Sequence, residues 1–221
     1  MLPRQREPNV YSRAETVSDG VVHAAGIVCA LVAVPVLVAL AAVWIGDAPT
    51  VIAAAVYGLS LIAMFCCSAL YNHAPLPARK DLLRRIDQTA IYIKIAGSYT
   101  PFAVLTGTHA GFLLVGVWGA AAAGASMILL SPVRLRWPSL LLYLLLGWFG
   151  ALVGGPLFDA LTPAGYGLIL AAGVLYTLGV VFFLWERLPF HNTIWHLFVF
   201  AASFVLYAAV LVELWERAPS I

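Results

Sequence analysis

Hydrophobic positions along this chain gather into seven long runs, with polar residues held to the breaks between them. The runs cover about residues 21–45, 50–72, 86–106, 111–130, 139–157, 164–185 and 192–215. A helix needs about 20 apolar residues to cross a hydrocarbon core roughly 30 Å thick, and each run is close to that length. The breaks carry Gly46-Asp47-Ala48-Pro49, Pro75 and Pro77, Pro132 and Pro138, Pro156 and Pro163, and Pro189, which are turn and helix-end signals. Lipid-exposed backbone must satisfy its own hydrogen bonds, so the runs predict helices. The expected fold is all-α: an integral membrane bundle of seven transmembrane helices over residues 21–215. A segment 1–20 precedes it and a short tail 216–221 follows. The first run lacks a short apolar core with a clear cleavage site, which predicts a retained span rather than a removable signal.

Composition agrees. Of 221 residues, 63% are apolar and 10% are charged, against about 25% charged in an average globular chain. So few charges could not cover a water-soluble surface. No linker divides the sequence, and one domain is expected. The net charge of +2 is small and scattered, which excludes nucleic acid as an expected partner. No phosphate-binding loop, nucleotide-binding glycine motif or nucleophile elbow is present, so membrane lipids are the partners expected. Cys29, Cys66 and Cys67 all lie inside apolar runs and are expected to be buried small hydrophobes rather than a disulfide framework.

The basic residues give the orientation. Arg4, Arg6 and Arg13, then Arg79, Lys80, Arg84 and Arg85, then Arg134 and Arg136, then Arg187 all fall on one side of a seven-span chain. That is ten of the twelve. By the positive-inside rule the N-terminus is cytoplasmic and the C-terminus outside, with the protein in the cell membrane. Lys94 lies within the third span, free to pair with a carboxylate in the bundle or to snorkel. Trp44, Trp137, Trp185 and Trp215 stand near span ends, where interfacial aromatics collect. Gly147, Gly150 and Gly154 share one face of the fifth span and predict close helix approach, within the bundle or between copies.

Polar residues at membrane depth are expensive, and they point to function. The topology puts His23, Ser68, His73, Asp87, His191 and His196 at the cytoplasmic end, with only His109 opposite. Several histidines with an aspartate suit zinc, which can hold a reactive water near neutral pH. Structural roles are open too. His73 can stabilise a helix C-terminus, Asn192 can cap the last span, and Asp87 can pair with Arg84 or Arg85.

Five segments resemble the hemolysin III proteins, the bacterial branch of the progestin and adipoQ receptor family. They are Ser18-Asp19-Gly20-Val21-Val22-His23-Ala24-Ala25-Gly26; Ser68-Ala69-Leu70-Tyr71-Asn72-His73; Leu83-Arg84-Arg85-Ile86-Asp87-Gln88-Thr89-Ala90-Ile91-Tyr92; Ala96-Gly97-Ser98-Tyr99-Thr100-Pro101-Phe102; and His191-Asn192-Thr193-Ile194-Trp195-His196-Leu197-Phe198-Val199. The resemblance implies seven helices and a zinc site of three histidines with an Asp and a Ser nearby. His73, His191 and His196 would hold the metal, Asp87 would orient or deprotonate its water, and Ser68 would steady the oxyanion. The chain also departs from the pattern. Asn72 and Asn192 stand where the family usually has histidines, and His73 and His191 are each displaced by one residue. On a regular helix that displacement turns a side chain from about 40° to about 140° away from its partner. The wider superfamily includes lipid amide hydrolases, so the resemblance implies hydrolysis of a membrane lipid or acyl amide. Two other readings stand beside it: a non-enzymatic protein of lipid or membrane homeostasis, and a pore-forming hemolysin.

Overall fold

The computed structural model describes residues 11–107, 110–131, 136–153 and 155–218. His109 and Gly154, both singled out above, lie outside the described residues. Helices fill the chain: α1 (Arg13–Trp44), α2 (Ala48–His73), α3 (Lys80–Thr106), α4 (Ala110–Leu130), α5 (Arg136–Val153), the short α6 (Gly155–Asp159), α7 (Pro163–Leu184) and α8 (His191–Glu216). A single 3₁₀ turn, Pro77–Arg79, leads into α3. No strand occurs among the described residues. Among the described residues, five helices are long and apolar enough to cross a membrane: α1, α2, α4 from Gly111, α7 and α8. The chain is a multi-pass integral membrane protein. Helix α3 is equally long, with 27 residues, but carries Lys80, Asp81, Arg84, Arg85, Asp87 and Lys94. The apolar part of α5, Trp137–Gly150, is shorter than a span.

Local chemistry explains where the helices begin. Ser12 accepts the Glu15 N–H, and the Glu15 carboxylate accepts the Ser12 N–H at 2.8 Å. This capping box starts α1 well before the apolar run. Asp47 caps α2 through the Thr50 N–H at 2.8 Å, and Thr162 caps α7 through the Gly165 N–H at 3.0 Å. Helix α8 begins differently from expectation. Its N-cap is Phe190 in the left-handed region at φ 60°, a conformation costing a non-glycine residue roughly 1–2 kcal/mol. The Phe190 N–H is held by Glu15 Oε1 at 2.9 Å. Asn192 therefore sits inside the first turn rather than capping it, and its side chain is free to turn inward.

The helices close into a ring. Neighbours in sequence pack side by side from α1 to α5, α7 packs along α8, and α8 returns to α1. Helix α3 also touches α5 and α8 and so lies towards the centre. Small residues allow close approach. A Cβ on Gly58 would lie 2.3 Å from Val34 of α1, and one on Gly97 would lie 2.3 Å from Ser60 of α2. The glycine face of α5 admits a ring instead of a backbone. The Tyr99 phenol accepts the Gly150 N–H at 2.9 Å and lies within hydrogen-bond distance of the Leu146 and Gly147 carbonyls. Cysteine burial is lower than expected. Cys29 is exposed on the outer face of α1, and Cys66 and Cys67 are half-buried. At the end away from His73, Trp44 and Trp215 meet edge-on, their ring centroids 5.3 Å apart. There Glu213, fully buried, accepts Thr162 N–H and O–H and pairs with Arg217.

Candidate functional site

Asp19 is the hub of the polar end. It lies one turn before His23 on the inner face of α1, and both are 4% exposed. His196 Nδ1 is 2.6 Å from Asp19 Oδ1, and His73 Nε2 is 3.0 Å from Asp19 Oδ2. His23 Nδ1 lies 2.9 Å from the Asp19 carbonyl, 3.4 Å from Oδ2 and 3.3 Å from His73 Nε2. Three imidazoles from α1, α2 and α8 thus surround one carboxylate. Asp19, His23 and His196 each offer a ligand atom within 4.8 Å of the others, and this buried group can hold a metal ion.

A second set of contacts lies on the far edges of the same rings. Ser68 Oγ is 3.1 Å from His23 Nε2 and 3.5 Å from His196 Nε2. The half-buried Asp87 of α3 lies beside Ser68 and close enough to His196 to interact with it electrostatically. Ser68 and His73 do not share a face of α2, as the helical period requires. They reach opposite edges of the His23 ring instead.

Of the expected site residues, the fold therefore gathers Ser68, His73, Asp87 and His196. Asp87 faces Ser68, while Arg84 turns to Asp81 and Gln88, and Arg85 to the Leu129 carbonyl. His191 goes elsewhere: its Nε2 lies 3.4 Å from the Tyr11 hydroxyl. Burial raises the Tyr11 phenol above its ordinary pKa, so the hydroxyl keeps its proton at neutral pH. Five residues separate His191 from His196, and the turn through about 140° sends the two rings apart. Asn192 Nδ2 donates to Asn72 Oδ1 at 3.5 Å, and Asn72 Nδ2 donates to the Ser68 carbonyl at 2.9 Å. The two amides brace the site from α8 and α2. Asp19 was not expected as a site residue. Its signal was available: a carboxylate four positions before His23 at the start of an apolar helix shares that histidine's face.

The cluster opens into a cavity of about 840 Å³. Asp19, His73 and His196 form part of its wall, and apolar side chains such as Phe102, Leu157, Ile169 and Leu206 form much of the rest.

Residues 11–207 match the family model described as haemolysin-III related. The chain belongs to this family. It is 33% identical over 204 residues to a hemolysin-3 homolog of Bacillus subtilis (strain 168), covering 91% of this chain and 95% of that one. It is 36% identical over 199 residues to hemolysin-3 of Bacillus cereus, covering 89% and 90%. Human monocyte to macrophage differentiation factor, from the wider receptor family, is 32% identical over 179 residues, covering 76% of this chain and 73% of that one. Membership of the hemolysin III family agrees with a multi-pass helical membrane protein.

Proposed function

We propose that this protein is a seven-span, N-terminus-inside membrane hydrolase that uses a zinc ion at the cytoplasmic end of the bundle to cleave a membrane lipid or acyl amide. The observation that carries this reading is a triangle of ligand atoms. His23 Nδ1, His73 Nε2 and Asp19 Oδ2 are separated by 3.3, 3.0 and 3.4 Å. Two ligands on tetrahedral zinc, with bonds of about 2.0–2.1 Å, stand about 3.3 Å apart. The triangle has the size of one face of such a tetrahedron, and the donor set of two imidazoles and a carboxylate suits zinc. His196, on the other oxygen of Asp19, would fix that carboxylate from behind, as outer partners of metal ligands commonly do.

Bound there, zinc would supply a water acidic enough to react near neutral pH and a positive charge beside a scissile carbonyl. The chain's own residues have distinct parts. Ser68 Oγ, on the edge of the His23 ring opposite the triangle, holds the His23 and His196 rings in place. Asp87, beside Ser68, accepts a proton and returns it to the leaving amine. The apolar wall holds an acyl chain and excludes water from the rest of the cavity. That lining suits a lipid better than an aqueous ion path, which weighs against a pore.

Protein purified without chelators is expected to carry about one zinc per chain, lost in His23→Ala and Asp19→Ala, and to release fatty acid from a fluorescent N-acyl amide in micelles. Metal-free protein that gains no thermal stability from added zinc would overturn the metal reading. The topology is tested by labelling in intact cells. An N-terminal tag should be protected and a C-terminal tag accessible; a protected C-terminus rules out seven spans.

One observation favours a second reading, a non-enzymatic protein of lipid homeostasis. Asn72 and Asn192 bond to each other at the positions where the family pattern has histidines, and amides are poor zinc ligands. Zinc-free protein that still binds lipid would support it.

A further inference from the structure

Lys94 stands near the middle of α3, is 3% exposed, and forms part of the cavity wall. An ammonium has three N–H donors. One goes to Ser98 Oγ at 2.7 Å, and the Ser98 hydroxyl donates its own hydrogen bond to the Lys94 carbonyl, also at 2.7 Å. The Tyr57 ring presents its face at 4.7 Å. Both partners are dipoles, and neither brings a negative charge. The other carboxylates of the cavity wall are engaged elsewhere: Asp19 with three histidines, Glu15 with the Ser12 and Phe190 N–H groups, and Glu186 in the turn before α8 beside Tyr11. Asp87 lies seven residues back, about 10 Å along the helix axis. Nor does the side chain snorkel, because the bond to Ser98 one turn later directs it along α3 within the bundle. Among the described residues, then, a buried cation keeps two unused donors beside an apolar cavity and has no counter-charge.

We infer that Lys94 is the anion-binding residue of this cavity, and that the ligand is a long-chain carboxylic acid. One ammonium with two remaining donors matches the two oxygens and single charge of one carboxylate. A phosphate would bring more charge and more acceptors than the site can satisfy. The chain lies along Phe102, Leu157, Ile169 and Leu206, and about 840 Å³ falls within the range of about 300–1,000 Å³ usual for small-molecule pockets. The inference is independent of the metal reading, because none of the cluster residues contacts Lys94.

The test is equilibrium binding of radiolabelled hexadecanoate to the full chain in lipid nanodiscs, with hexadecan-1-ol as the uncharged competitor. Wild type is expected to prefer the acid by at least tenfold. Lys94→Met should abolish that preference while retaining the alcohol, Lys94→Arg should retain most of it, and Cys29→Ser, on the exposed face of α1 away from the cavity, should leave it unchanged. Equal affinity for acid and alcohol in wild type, which needs no variant to fold, overturns the proposal; so does a Lys94→Met protein that still prefers the acid. Acid co-purifying with both wild type and His23→Ala points to capture from the membrane, and acid with wild type alone points to the protein's own hydrolysis. Absence of hydrolysis with preferential binding intact would sink the hydrolase reading and leave this one standing.

Discussion

Two carboxylates are buried against α8, one near each end, and they are satisfied in opposite ways. Glu213 pairs with the Arg217 guanidinium and accepts both the N–H and O–H of Thr162, at 3.0 and 2.7 Å. Arg217 in turn reaches the Ala160 and Leu105 carbonyls at 2.7 and 3.0 Å. A guanidinium stays charged at any ordinary pH, so this end is a permanent fastening of α3, α7 and α8. Asp19 is surrounded by imidazoles, each of which can surrender a proton and offer its lone pair to a metal. The same kind of buried acid closes the bundle at one end and leaves an exchangeable group at the other. The chemistry of the partner, not the burial, sets the difference.

The contrast is broken most forcefully at Glu213. Arg217→Ala strands a buried carboxylate and is expected to cost about 3–5 kcal/mol, seen as a large drop in melting temperature in detergent. Replacing both Glu213 and Arg217 with Met should recover most of that loss, because removing a whole ion pair is far cheaper than removing half of one. A harmless Arg217→Ala would show that this end fastens nothing.

Asp19→Asn comes next. Its amide cannot accept from both His196 and His73 in their present positions, and about 1–3 kcal/mol should be lost. Bound zinc should fall away even where the fold survives, as metal analysis of the purified variant would reveal. Zinc retained at full occupancy would separate Asp19 from the metal. The smallest effect is expected at Tyr11→Phe. Loss of the 3.4 Å contact to His191 should cost no more than about 0.5–1.5 kcal/mol and leave zinc content unchanged. A Tyr11→Phe protein lacking metal would bring His191 back as a ligand.

Much of this was legible in the chain. Six of the apolar runs became single helices, because at membrane depth the backbone has no other way to satisfy itself, while the fifth, 139–157, is divided between α5 and α6. Helix starts were less visible where polar residues extend a helix into the interface. The box of Ser12 and Glu15 carries α1 eight residues upstream of its apolar run, and Lys80–Arg85 do the same for α3. The candidate site was partly legible. The five-residue spacing put His191 and His196 on different faces, yet His191 was still expected to join the metal site, and its ring lies by Tyr11 instead. Asp19 was hidden because its role depends on α2 and α8 arriving beside it, a fact of tertiary packing that no local pattern contains. Lys94 was visible as an oddity, but its lack of a counter-charge emerges only with the neighbours in place.

The first and last helices are tied together near the cluster. Phe190 N–H meets Glu15, Ser18 lies 3.0 Å from Thr193, and Asp19 holds His196, all across more than 170 residues of sequence. A chain made from its N-terminus has α1 in the membrane long before α8 leaves the ribosome. Until then Asp19 and His23 lack the helix that completes their surroundings, so the cluster is among the last features to form during biogenesis. A product truncated before α8 carries every other helix and no finished site.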